Sequence, residues 1–408
     1  MHVGIDFGTS NTAFSILANG QTRLLQLEPE ETSIPTAIFY EAGSRSFTIG
    51  HRAIDDYEAG EEGRLMRSIK SVLGTDLIEE TTQLDGRRIP FQQVITDFLT
   101  RTIRQAEKLN GGELDTVIQG RPVSFNDDDP AKDQRAQAAL EASLRAAGVQ
   151  HIAFLPEPVA AARSVEFPTG REKLIFVVDI GGGTSDFSVI RISDDNSSFD
   201  VLASTGVYLG GNDFDRLLSF YDLTPHFGRL ETLSENDLPV PAAPYVTLSD
   251  WKSHNRLYSI TMRKEIDWLL KNSPKSAGLR AFDYLIRNFE AGAYAKKTEA
   301  LKIALSDAAE AGFRYVAGNT AIEANVTQAG FRALIDDTVN AMDGAAAECL
   351  TLAGCSADQI TDIVMVGGST HIPAVESHFT SQFEHAVVSA NDRFGAVAKG
   401  LARYGATL

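Results

Sequence analysis

The sequence predicts an α/β chain folded into two lobes, and three observations carry that expectation. At 408 residues it exceeds what one hydrophobic core usually encloses. Strand-like apolar runs alternate with amphipathic helical stretches along the chain. Two segments also share one grammar. VGIDFGTSNTAFSIL from Val3 and FVVDIGGGTSDFSVI from Phe176 each contain an apolar strand, an aspartate, a glycine turn, Thr-Ser, a polar residue and a second strand. The pair reads as an internal repeat whose spacing after the first aspartate differs by two residues.

The elements follow in order. Residues 3–7 start a strand that breaks at GTSN; TAFSIL resumes it, and Asn19-Gly20 suits a tight hairpin turn. In 91–110 the apolar positions Phe91, Val94, Ile95, Phe98, Leu99 and Ile103 make one helical stripe, stopped by NGG. DTVIQGRPVSF reads as a buried strand. A charged stretch then becomes an Ala-rich helix ending at Gly148, and HIAFLPEPVAAARSVEF gives a short strand and a helix with Pro158 at an early position. After the hairpin of 174–192, GVYLGGNDFDRLLSF turns into a helix that Asp213 can cap. Residues 222–256, with four prolines and little periodicity, read as an exposed irregular insertion. Residues 280–310 read as helix with a break near AGA, and 328–352 as a long helix. DIVMVGGSTHIPAVESHF reads as strand, Gly-Gly turn and helix, and a last helix starts near 393.

Composition bounds the function classes. The apolar fraction of 43% permits large cores and speaks against disorder. Lys plus Arg number 37 against 55 Asp plus Glu, a formal charge of −18, so a nucleic-acid binder would need a concentrated basic surface against that field. Arg87, Arg88, Arg101 and Arg104 are instead dispersed among neutral residues, and no nucleic-acid partner is expected. MHVGIDFGTS enters a strand pattern at once, without a signal segment, and no run nears the roughly 18 apolar residues needed to cross a bilayer. Cys349 and Cys355 form neither a CxxC motif nor a disulfide framework. A cytoplasmic protein without a membrane partner fits.

Glycines inside a strand pattern cost stability and mark close backbone approach. At Gly181, Gly182 and Gly183 they leave backbone N–H groups unobstructed, and successive N–H groups in a turn can form a concave anion site. Thr184 and Ser185 add hydroxyl donors. Asp179 and Asp186 would repel a bare phosphate, but fit if Mg²⁺ and its waters bridge the negative groups. Four such turns, at 6–12, 179–186, 206–213 and 366–371, suggest a nucleotide held between two lobes. No GxxxxGK[ST], HExxH, paired-cysteine zinc pattern or GxSxG occurs, and the 179–186 loop feeds a strand rather than a dinucleotide-binding helix. The eight histidines form no spaced ligand set, although His371 lies in a glycine-rich turn.

The ordered set IDFGTSN (5–11), FNDDDPAKDQR (125–135), EPVAAA (157–162), VVDIGGGTSD (177–186), LGGNDFD (209–215) and VGGSTHIP (366–373) resembles the nucleotide-binding domain of DnaK-type chaperones, the heat shock protein 70 family. IKSVLG at 69–74 resembles the segment carrying that family's catalytic lysine. The resemblance runs from about residue 2 to 402 and is weak through 222–290. NDRFGAVAKGLA near the end matches loosely.

The resemblance implies the actin-like ATPase fold: two lobes, 1–170 and 171–408, each with an inserted small subdomain, around a central nucleotide cleft. It implies ATP or ADP with Mg²⁺. Asp6, Asp179 and Asp186 would reach the metal through water. Gly8, Thr9, Ser10, Gly181, Gly182 and Gly183 would approach the phosphates, with further turns at Gly210–Gly211 and Gly367–Gly368. Lys70, Glu157, Asp179 and Thr184 form the implied catalytic set, Lys70 on the γ-phosphate and Glu157 on the attacking water. In TEALKIALS (298–306), Glu299, Lys302 and Ser306 match nucleoside contacts. Ile303 and His371 stand where the family uses arginines against adenine, so both flat charged stacking groups are replaced.

The sequence stops at Leu408, before the linker and β-rich peptide-binding domain of the full chaperones. The expectation is therefore a slowly ATP-hydrolysing, chaperone-like switch without its own peptide clamp, working with a protein partner or client. The alternative is a non-hydrolysing nucleotide-dependent scaffold or an actin-like filament protein. A small-molecule kinase would need a carboxylate base beside a substrate hydroxyl, and no such pair stands out. The oligomeric state stays open.

Overall fold

The computed structural model describes residues 2–84, 86–114, 116–126, 129–233, 237–389 and 393–408. Asp127 and Asp128 of the 125–135 motif, and Asn391 and Asp392 of the last one, lie outside the described residues.

Two sheets of one design organise the chain. The first runs, in spatial order, His151–Pro156, Thr116–Arg121, His2–Phe7, Asn11–Ala18 and Gln21–Leu24, with Ser33–Pro35 also paired to Asn11–Ala18. The second runs Val387–Ser389, Asp362–Val366, Lys173–Ile180, Ser185–Ile192 and Phe199–Val207. In each, a lead strand pairs antiparallel with the strand that follows it and parallel with a strand from much later in the chain. The parallel neighbours need long crossovers, which the helices between them supply.

The repeat is tighter than its letters suggest. The Gly8 N–H donates to the Asn11 carbonyl and the Gly181 N–H to the Thr184 carbonyl, both at 3.0 Å. Asp6 and Asp179 each sit two residues before the glycine. The two turns therefore have the same length. The two-residue offset comes from aligning Thr9-Ser10 with Thr184-Ser185, whereas the backbone aligns them with Gly182-Gly183.

By packing, the chain divides into two compact units: Met1–Tyr208 with Gly344–Thr370 and His378–Leu408, and Leu209–Asp343 with His371–Ser377. Both sheets belong to the first. There the helices Phe91–Asn110 and Pro130–Ala146 bury Val94, Ile95, Phe98, Leu99 and Leu140 against Val3, Ile5 and Phe7. The stripe read from the sequence is this buried face. The last helix, Ala396–Gly405, lies against Glu157–Arg163 so closely that a Cβ on Gly400 would fall 1.7 Å from the Ala160 carbonyl oxygen. Only glycine permits that approach.

In the second unit, Ala277–Arg287 and Ala291–Asp307 are separate helices, the break falling just before AGA at Phe289, which adopts φ 59°. The irregular reading of 222–256 needs correction. This stretch forms the short helices Thr224–Phe227 and Ala243–Ser249 and buries Phe227, Leu233, Val240, Tyr245 and Leu248. The Tyr245 ring stacks on Phe282 at 4.5 Å and its hydroxyl donates to the Phe227 carbonyl at 2.9 Å. Short turns bring apolar residues inward at uneven intervals, so no period appears. The hairpin Glu310–Ala317 with Thr320–Thr327 and the small sheet of Phe47–Ile49, Ala37–Glu41 and Gly63–Arg67 also escape the sequence reading. Among the described residues no helix is long and apolar enough to cross a membrane.

Candidate functional site

The two hairpin turns bring carboxylates to equivalent strand ends. Asp6 lies opposite Ala13, and Asp179 lies opposite Asp186. Lys70 sits on a 3-10 turn, Ile69–Val72, and is only 8% exposed. Glu157 opens the helix Glu157–Arg163, directly after a strand of the first sheet. Lys70 Nζ donates to Glu157 Oε1 at 2.6 Å.

Thr36 ties the first glycine turn to the lysine segment. Its hydroxyl donates to the Gly8 carbonyl at 2.8 Å and lies 2.8 Å from the Thr12 hydroxyl. Its N–H donates to the Ser10 carbonyl, and its own carbonyl accepts from the Ser68 N–H. Ser68 takes a left-handed conformation, φ 54°, to start the Lys70 turn. Sequence reasoning missed Thr36, which has no motif of its own.

The third turn closes on the second hairpin. Gly367 has φ 84°, and a Cβ there would fall 2.3 Å from the Ile180 carbonyl oxygen and 2.9 Å from Asp179 Oδ1. The Ser369 hydroxyl donates to the Gly181 carbonyl at 3.2 Å. Gly206, the first residue of the 206–213 stretch, faces Asp186 across the strand pair, where a Cβ would stand 2.6 Å from Oδ1. Thr9, Ser10, Gly182, Gly183 and Thr184 are half-buried, so their turns keep accessible surface.

These groups act on one another electrically. Burial, with the nearby Glu157 charge, pushes the Asp6 carboxyl up to about 7 against the pull of Lys70. Burial and the charges of Asp186, Glu157 and Asp6 hold Asp179 well above the usual carboxylate range. Burial disfavours the Lys70 charge, but the Glu157 carboxylate and its hydrogen bond, with Asp6 and Asp186, outweigh that and raise the lysine. Four carboxylates thus share one ammonium. Among the described residues, no three His, Cys, Asp or Glu side chains converge tightly enough to ligate a metal directly.

The residues expected at the nucleoside lie in the second unit, apart from Gly367 and Gly368. Gly210 and Gly211 open the helix Gly211–Leu218, where Asp213 accepts from the Gly210 N–H at 3.1 Å. Glu299, Lys302, Ile303 and Ser306 follow an i, i+3, i+4, i+7 pattern on Ala291–Asp307 and so share one face. Glu299 is exposed, Ile303 is 56% exposed and Ser306 is half-buried. Lys302 is buried, with Nζ 2.7 Å from Asp215 Oδ2 and 3.4 Å from the Gly211 carbonyl oxygen. Burial raises Asp215 to about 6 despite Lys302, with Glu299 adding to the rise, and its Oδ1 is buried without a hydrogen-bond partner. LGGNDFD contains Asp215, but nothing in its spacing marks it as the lysine's partner. His371 ends the 3-10 turn Gly368–His371 and is exposed.

Two sheets of identical connectivity, each with an aspartate before a glycine turn, define the actin-like class of ATPase fold. The Hsp70 protein family model matches residues 77–233 and 290–408, and the chain belongs to that family. It is similar to the chaperone protein HscA homolog of Actinobacillus pleuropneumoniae serotype 5b, at 27% identity over 98% of this chain and 57% of that protein. HscA chaperones of Citrobacter koseri (27%) and Klebsiella pneumoniae subsp. pneumoniae (28%) match over the same shares. The chain spans little more than half the length of these curated relatives. Residues 234–289, with their helices, fall outside the family match.

Proposed function

We propose that the chain is a Mg²⁺-dependent ATP-binding switch that hydrolyses ATP slowly, in the manner of a chaperone ATPase. The observation that carries this is the Lys70–Glu157 ion pair beside Asp6 and Asp179. Crowded carboxylates with raised proton affinity suit a site completed by a hydrated cation. Asp6, Asp179 and Asp186 would hold Mg²⁺, which neutralises phosphate charge when bound. Within this reading the lobes are 1–170 and 171–408; the first sheet lies wholly in the former and the second wholly in the latter.

The residues divide the work by chemistry. Backbone N–H groups of Thr9, Ser10, Gly182, Gly183 and Thr184 bind phosphate oxygens, while those of Gly8 and Gly181 hold the turns in shape. Lys70 donates to the γ-phosphate, and Glu157 accepts a hydrogen bond from the attacking water. The water oxygen bonds to γ-phosphorus as the bond to the bridging oxygen breaks, ADP leaves with that electron pair, and the water proton passes to the released phosphate. Little covalent work falls on the protein; positioning and charge supply the catalysis. Glu299, Lys302, Ile303, Ser306, Gly210, Gly211 and His371 would meet the nucleoside, Ile303 and His371 by contact rather than cation stacking. The two cysteines are unpaired, which suits a reducing cytoplasm. In these 408 residues we assign no peptide clamp, since both large sheets serve the ATPase fold.

Calorimetry with ATP, ADP and GTP, with and without Mg²⁺, tests the reading. Saturable binding that needs Mg²⁺ and is weakened by Asp6→Asn is expected. No saturable binding of any nucleotide sinks the proposal. Tight MgATP binding without single-turnover phosphate release leaves the non-hydrolysing scaffold in its place.

A further inference from the structure

Against a formal charge of −18 for the whole chain, one segment is strongly basic. Residues 252–280 hold seven Lys and Arg and two acidic residues, a surplus of five positive charges. The segment includes the helix Ile260–Asn272, which buries Ile266 and Leu269 in the second unit. At 100° per residue, Ile260, Lys264, Trp268 and Lys271 fall within an arc of about 80° on the other side. All four are exposed, Ile260 by 74% and Trp268 by 47%.

The charges on this face are not consumed internally. Among the described residues, Lys264, Lys271 and Lys275 enter no ion pair. Of the two acids on the helix, Asp267 is held by Arg287 at 2.5 Å. The face also lies inside 234–289, between the two stretches that the Hsp70 family model matches. A large apolar ring left half in water amid unpaired lysines is the pattern of an interface anchor.

We propose that the helix Ile260–Asn272 is a docking face for an acidic segment of a partner protein, one that pairs Asp and Glu with Lys264 and Lys271 and lays an apolar side chain on Trp268 and Ile260. Charge complementarity chooses the occupant. Most of the chain is acidic, so an anionic bilayer would repel it outside this segment, and the helix turns Ile266 and Leu269 inward rather than toward a membrane. A short acidic segment meets only the basic face. The proposal is independent of nucleotide hydrolysis.

The chain has two tryptophans, so Trp251→Phe in the full chain leaves Trp268 as the reporter. The probe is a synthetic peptide alternating Glu and Asp with Leu and Phe; its Lys-for-acid counterpart is the control. A saturable blue shift with the acidic peptide alone is expected, with affinity falling about tenfold between low and physiological salt. Lys264→Glu with Lys271→Glu should weaken binding about tenfold, since it removes two exposed pairings and sets two like charges against the acidic peptide. If that variant fails to fold, Lys264→Gln with Lys271→Gln decides, with a smaller loss expected. No saturable shift, or an equal response to the basic peptide, overturns the proposal. So does binding to phosphatidylglycerol vesicles with the peptide silent, which assigns the face to a membrane. Self-association abolished by the charge reversal, with the peptide silent, overturns it in favour of a second copy of the chain.

Discussion

Lys70 and Glu157, 87 residues apart in the sequence, meet with Nζ 2.6 Å from Oε1. The pair joins a 3-10 turn to the first residue of a helix, and each partner is mostly covered. Lys70→Ala should lower single-turnover phosphate release about a hundred- to a thousand-fold, roughly 2.7–4 kcal/mol of transition-state stabilisation, and weaken ATP binding far less. Glu157→Gln should lower turnover while keeping most nucleotide binding. Normal hydrolysis in both variants removes the pair from the catalytic set.

Gly367 is held at φ 84° with no room for a side chain between Ile180 and Asp179. Gly367→Ala should destabilise the protein by about 1–3 kcal/mol or more, through left-handed strain and the clash. Gly112, where an added Cβ would meet nothing within 4 Å, is the control, and Gly112→Ala should be near neutral. Equal urea midpoints for the two variants would contradict the close packing of the third turn.

Lys302 sits in an internal ion pair with Asp215. Lys302→Met should destabilise the nucleotide-free protein by about 3–5 kcal/mol, because Asp215 is left buried and uncompensated. Without the lysine, Asp215 rises further and folds protonated. The folded state then binds the extra proton, so the variant should be more stable at pH 5 than at pH 7. An unchanged melting temperature without nucleotide would mean that the ion pair adds nothing to the fold.

Ile303 is exposed on the same helix face, and His371 is exposed on its turn. Replacing both by arginine should tighten adenine-nucleotide binding several-fold, by roughly 0.5–2 kcal/mol of cation–π stacking. Unchanged affinity in a folded double variant argues against their assignment to the base.

His51 is raised by its hydrogen bond and charge interaction with Glu28, whose Oε2 lies 2.7 Å from Nδ1, although partial burial works against the charge. A raised folded value means the pair's stabilisation is fully present below about pH 6.5 and is lost as pH rises through the folded value. His51→Gln should flatten the change in melting temperature across that range. A slope identical to the parent's would show that the pair does not contribute.

The hairpin carrying Asp179 and Asp186 was legible because its chemistry is local: strand, aspartate, three glycines and return strand fit within VVDIGGGTSDF, and backbone hydrogen bonds close the turn without outside help. The helix 91–110 was legible because one face repeats at the helical period. The Lys70–Glu157 pair was not legible from residue pattern, and only the family resemblance pointed to it. Thr36 and Asp215 were missed because a threonine or an aspartate in those settings has many uses, and the partner that gives it one is far away in sequence.

The sequence by itself determined the α/β class, the duplicated strand–glycine–strand units and the aspartates at their ends, since these depend on periodicity and on φ and Cβ constraints acting over a few residues. The tertiary structure decided which charges meet. It placed Lys70 beside Glu157 and Lys302 beside Asp215, packed 222–256 where no period was visible, and left Lys264 and Trp268 facing water. Burial and charge pairing depend on distances between segments that the chain joins only after it has folded, so no local pattern encodes them.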